Sequence, residues 1–170
     1  VLADTFSAAH PMLYKGRLYF SANLIGGKGK TDIYYAEKLG NEWVNIKNCA
    51  FLNTSECEYF PYVINNEEIY FSSNRPGGYG KLDIYKCTTI DSTYLIQNLG
   101  NPINTKYDDF GVYIDTLQEA GYFSSDRKKG QDDIYFFKQT WPVFKNCKDP
   151  VVEDYCYNLT EESTLDSDSL

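Results

Sequence analysis

One unit of about 50 residues occurs three times in this chain of 170, and that repetition restricts the possible folds more than any other property. Tyr19-Phe20-Ser21-Ala22-Asn23 recurs as Tyr70-Phe71-Ser72-Ser73-Asn74-Arg75 and as Tyr122-Phe123-Ser124-Ser125-Asp126-Arg127, at spacings of 51 and 52 residues. Asp-Ile-Tyr follows each copy, at Asp32-Ile33-Tyr34, Asp83-Ile84-Tyr85 and Asp133-Ile134-Tyr135. Upstream, His10-Pro11, Phe60-Pro61 and Phe110-Gly111 align. Leu52-Asn53-Thr54 matches Ile103-Asn104-Thr105 in the connections.

Each unit holds four short strand candidates. In the second they are residues 61–64, 68–73, 82–87 and 93–97, separated by turn formers at Asn65-Asn66, at the loop from Arg75 to Gly80, and at Asp91-Ser92. Four antiparallel strands per repeat is the pattern of a propeller blade. The sequence therefore predicts an all-β fold: a β-propeller segment of three four-stranded blades at about 1–50, 51–100 and 101–148. Three blades fall short of the usual four to eight, so the segment is expected to belong to a larger ring or to close through a partner. A β-sandwich is the rival architecture. The 16 tyrosines fit either, since Tyr buries a ring while keeping its hydroxyl wet. Six of them, Tyr19, Tyr70, Tyr122, Tyr34, Tyr85 and Tyr135, fall at two recurring positions and are expected to pack blade against blade.

The formal charge of −8 is unevenly placed. Residues 149–170 carry seven acids and no Lys or Arg, leaving 17 acidic against 16 basic residues in the body. That tail reads as an acidic linker or the start of a following β domain. Neither part offers the basic stripe that nucleic acid or anionic lipid requires. No apolar run approaches the length of a spanning helix, so direct membrane insertion is not expected. The chain opens on Val1 with no basic, apolar leader, and reads as a mature product or an excised piece.

The recurring polar residues have architectural explanations. Glycines in the loop before Asp-Ile-Tyr would supply positive φ, and Asp32, Asp83 and Asp133 would accept backbone N–H groups and pin that loop. Asn74-Arg75 and Asp126-Arg127 would extend the network, each Arg packing across to a neighbouring blade; a rim that binds anionic groups is the functional alternative. Gly29-Lys30-Thr31 lacks the upstream Gly and the following helix of a phosphate-binding loop. His10, the sole histidine, sits at a position held elsewhere by Phe60 and Phe110 and reads as a packed strand residue. Asp108-Asp109 and Asp132-Asp133 lack the spacing of a calcium loop and read as solvated acids. No catalytic, cofactor or metal residue is expected.

Cys49 and Cys147 end equivalent outer strands, after Trp43 and Trp141, and each has a second cysteine downstream, Cys57 and Cys156. Local disulfides Cys49–Cys57 and Cys147–Cys156 are predicted, each adding about 2–3 kcal/mol. Cys87 is left over. The pairing implies an oxidising compartment, whereas five reduced thiols would fit the cytosol.

On these residues, above all Asn101-Pro102-Ile103-Asn104-Thr105, Tyr70 to Gly80 and Asp83-Ile84-Tyr85, the chain resembles the WD40-like, TolB-type propeller found in OmpA-family cell-envelope proteins of Bacteroidota. The resemblance covers about 140 residues and bears on fold more than on function. It implies the periplasm, outer membrane or surface of a Gram-negative cell, other envelope proteins as partners, and an association with type IX secretion or gliding. The chain departs from it in having three repeats, no OmpA-like domain and Lys128-Lys129-Gly130 in its third loop. Peptidoglycan would thus be reached only through a domain absent from this chain. A non-enzymatic binding scaffold is the expectation. A propeller attached to a peptidase or glycan-active enzyme, or a carbohydrate- or calcium-dependent adhesion module, is the alternative.

Overall fold

The computed structural model describes residues 6–117, 119–128, 131–139 and 157–158, and among these there is strand and no helix. The first repeat forms β1 (Ala8–Tyr14), β2 (Arg17–Ala22), β3 (Asp32–Leu39) and β4 (Glu42–Asn48). The second forms β5 (Glu58–Val63), β6 (Glu68–Ser73), β7 (Asp83–Ile90) and β8 (Thr93–Asn98). β9 (Asp109–Asp115), β10 (Ala120–Lys128) and β11 (Gln131–Gln139) follow, and β12 (Tyr157–Asn158) pairs with β11. Each repeat is its own four-stranded antiparallel sheet with strands in chain order, which is not the two-layer arrangement of a sandwich. The last strand of the third sheet comes from beyond residue 148, inside the stretch expected to be an acidic linker or the start of a following β domain; here it pairs with the third sheet. The segment from Trp141 to Cys147, expected in that place, lies outside the described residues.

Strand β5 begins three residues before its predicted start because the inner strand carries a bulge. Phe60 and His10, each preceding a proline, have positive φ, and Gly111 takes that conformation in the third repeat. The bulges bring the aligned aromatic positions together: the His10 ring lies 3.8 Å from that of Phe60, and Phe60 stacks on Phe110 at 5.1 Å. Burial holds the His10 imidazole below its ordinary pKa.

Alternation along the strands gives every sheet two apolar faces. A Tyr-side face carries Tyr19 and Ile33, Tyr70 and Ile84, or Tyr122 and Ile134. A Phe-side face carries Phe20 and Tyr34, Phe71 and Tyr85, or Phe123 and Tyr135. The first core joins Tyr19 and Ile33 to Phe71, Tyr85 and Cys87, with Leu52 of the connection between them. The second joins Tyr70 and Ile84 to Phe123 and Phe137, with Ile103 in the corresponding place. One rule thus orders both junctions: the Tyr side of one sheet packs on the Phe side of the next. Tyr122 has no following sheet among the described residues and is exposed, unlike Tyr19 and Tyr70.

Candidate functional site

The predicted polar residues converge on the two connections between sheets. Asp32 is buried and accepts the backbone N–H groups of Lys28 (2.6 Å) and Gly29 (2.9 Å) and the Asn48 amide (2.6 Å). Asp83 repeats this with Tyr79 N–H (2.5 Å), Gly80 N–H (3.2 Å) and the Asn98 amide (2.9 Å). Asp133 is exposed, opposite Ser125, in a hairpin whose ladder runs on to Lys128 and Gln131; residues 129 and 130, which stand where the first two loops supply their N–H groups, lie outside the described residues. The third loop is two residues shorter, so the strands continue where the first two units open a loop.

The loop glycines serve two purposes. Gly26 and Gly77 have positive φ, as expected. Gly29 and Gly80 do not, but a methyl there would run into backbone oxygens, of Thr54 and Glu56 or of Thr105 and Tyr107. The loop therefore lies directly on the connection to the next sheet.

That connection is gripped from both sides. The Asn53 side chain accepts Ile33 N–H (2.8 Å) and donates to Ile33 C=O (2.9 Å) and to Asn48 Oδ1 (2.9 Å). Asn104 does the same with Ile84 and Asn98. From the next sheet, Arg75 donates to the Leu52 carbonyl (2.6 Å) and pairs with the fully buried Glu58 (3.3 Å), which accepts Thr54 N–H and hydroxyl. In the third sheet Arg127 donates to the carbonyls of Pro102 and Ile103 and pairs with Asp109 at 2.6 Å, while Asp109 accepts from Thr105. The guanidinium carbons lie over Phe71 and Tyr85, and over Phe123 and Tyr135. Both arginines are mostly buried and spent on protein partners, which removes the anion-binding rim as their role. Their ion partners lie within their own sheet, and what they reach across to is the connection. Burial pulls the Arg75 pKa down, opposed by Glu58. Asn74 and Asp126 accept the N–H groups of Cys57 and Asp108, fixing the start of each inner strand.

Asp109 corrects the expectation that the Asp108-Asp109 pair is solvated: it is fully buried, and Asp108 accepts Leu82 N–H and pairs with Lys81. Glu58 and both connection asparagines escaped functional reading. The Leu-Asn-Thr and Ile-Asn-Thr repeat was the available signal.

A cleft of about 430 Å³ opens at this seam, lined by Cys57, Tyr59, Asn74, Gly80, Lys81, Leu82 and Asp108. The Tyr59 hydroxyl is raised above its ordinary pKa, first by the Cys57 thiol beside it, then by burial, with Thr31 opposing. It stays protonated at neutral pH and serves as a hydrogen-bonding group. Among the described residues no three His, Cys, Asp or Glu side chains lie close enough to hold a metal ion.

The predicted Cys49–Cys57 disulfide is not formed; both residues are free thiols. Cys49 points into the apolar cluster of Tyr19, Ile33 and Leu52, whereas Cys57 lines the cleft. The connection between them is held by its own polar grip and needs no covalent clip. Cys147 and Cys156 lie outside the described residues. Burial pushes the Cys49 thiol up to about 12 and Cys87 up to about 11. Iodoacetamide at pH 8 is therefore expected to spare both in the native chain. In denaturant without reductant it should modify Cys49, Cys57 and Cys87, as peptide mass spectrometry will read. Because these folded pKa values exceed the ordinary 9.0, the stabilisation from the neutral thiols is complete below about pH 9 and is lost as pH rises through 11–12.

Scanned against protein-family models and searched against curated proteins, the sequence returns no match.

Proposed function

We propose that the chain is a run of three propeller blades acting as a non-enzymatic binding scaffold. The observation that carries this reading is that the recurring polar residues are consumed internally: the carboxylates of Asp32, Asp83, Glu58 and Asp109 hold backbone, amide, hydroxyl or guanidinium groups. None is left as the free acid–base pair that glycan or peptide hydrolysis requires. The propeller arrangement is supported by the fan of the sheets. The inner strands β1, β5 and β9 meet through His10, Phe60 and Phe110, while the outer strands β4 and β8 are largely exposed.

Envelope proteins as partners, a periplasmic or outer-membrane location and a place in a secretion or gliding complex rest on the family resemblance alone. The free Cys49 and Cys57 add nothing to them. Mild crosslinking in envelope preparations of a Gram-negative cell is expected to recover the chain bound to other envelope proteins. Recovery as a soluble species that turns over peptide or glycoside substrates would overturn the scaffold reading.

A further inference from the structure

The three sheets leave their outer edges in different states. β4 is bulged and charged: Asn45 has positive φ, the pairing with β3 slips between Tyr35 and Glu37, and the strand carries Glu42 and Lys47. β11 is met by β12. β8 has neither protection. It pairs with β7 from Thr93 to Asn98 without a bulge, its sequence Thr-Tyr-Leu-Ile-Gln-Asn holds no charge, and among the described residues no strand pairs with its outer side. Bulges, charges and covering segments are what keep edge strands from pairing with other chains. Tyr94 and Leu95 are 48% and 46% exposed. This edge belongs to the middle sheet and is independent of what adjoins the first or the third.

The hairpin turn decides which backbone groups of β8 are free. Asp91 and Ser92 both have positive φ, a two-residue turn that closes on Ile90 and Thr93 as a hydrogen-bonded pair. Alternation then turns the N–H and C=O groups of Thr93, Leu95 and Gln97 toward β7, and those of Tyr94, Ile96 and Asn98 outward. The Leu99 N–H, which donates to the Ile84 carbonyl at 3.1 Å, keeps the same phase.

We propose that two copies of the chain pair along β8, antiparallel about a twofold axis at Ile96, so that their second sheets join into one. The pairing goes beyond the scaffold and propeller readings and depends on neither. Outward-turned residues must meet outward-turned residues for the ladder to form. The register that uses all three sets Ile96 against Ile96 of the second copy and Tyr94 against Asn98, with Leu95 facing Gln97. The occupant is argued from this match. A strand without charge meets its own copy with no like-charge pair, and Ile96 gains an apolar partner on the axis. The same strand offers no charge by which to select a different extended peptide. The contact is isologous and closes at two copies.

Sedimentation of the full 170-residue chain over a concentration series tests this, and a species of twice the 19.5 kDa chain mass is expected. Over the same series, amide exchange followed by NMR should slow at Tyr94 and Ile96 far more than at Leu95, whose N–H already faces β7. Leu95→Glu/Gln97→Glu sets carboxylates opposite one another across the axis and should weaken association at least about tenfold. Leu95 is exposed and Gln97 stands opposite Lys86, so this variant should melt like the parent. Mixing it with Leu95→Lys should restore dimers, since the new ammonium meets the new carboxylate at position 97. A parent chain monomeric throughout, whether bare or with an extended peptide captured on β8, would overturn the proposal. So would a dimer in which exchange at Tyr94 and Ile96 is unchanged, a double variant that associates like the parent, or a mixture that stays monomeric.

Discussion

Arg75→Leu is expected to lower the stability of the folded chain by about 3–5 kcal/mol, because it strands the Glu58 carboxylate, fully buried, without its ion partner. In a domain of this size that corresponds to a fall in Tm of roughly 6–20 °C. The variant also leaves the Leu52 carbonyl without its donor. The same protein supplies the control. The first sheet fills the two positions with Ala8 and Leu24, so Glu58→Ala/Arg75→Leu reproduces a pair that the fold already accepts. The double variant should be more stable than Arg75→Leu alone, since it removes the uncompensated charge, even though Thr54 loses its acceptor. Thermal melts followed by circular dichroism decide it. If the two losses simply add, a stranded charge is not what the single variant suffers from, and Arg75 acts through its contact with Phe71 and Tyr85 instead.

How much of this was legible depended on whether the physics is local. The strands of the second repeat could be read because alternation and turn residues are properties of neighbours in sequence, and Glu68–Ser73 and Thr93–Asn98 lie close to where the pattern puts them. The start of β5 was not, because the bulge at Phe60 depends on packing against His10 and Phe110 from other sheets. Asn53 and Asn104 were visible as a repeat, but their grip on Ile33 and Ile84 acts across 20 residues of chain. Glu58 and Asp109 were hidden by their own variation: one position holds Glu, Asp and Ala in the three copies, and no identity marks it. The cysteines misled for the opposite reason. Their repeated position suggested a clip, whereas Cys49 fills the core place expected of a small apolar side chain.

Asp83→Ala and Asp133→Ala are expected to behave differently although the motif around them is the same. Asp83 is buried and holds two loop N–H groups and the Asn98 amide, which in turn supports Asn104. Removing the carboxylate leaves these donors unpaired beneath the loop, at a cost of about 2–4 kcal/mol. The damage should spread along the chain, since Gly80 in that loop touches the backbone of Thr105 and Tyr107, and the second connection depends on both. Asp133 is exposed, so its removal should stay within about 0.5 kcal/mol. Denaturant unfolding of both variants beside the parent makes the comparison. Equal losses would mean that the third aspartate pins a turn as the first two do. The predicted inequality would mean that the two-residue shortening of the third loop, which brings the Asp from 13 to 11 positions after the Tyr, changes what the same three letters do.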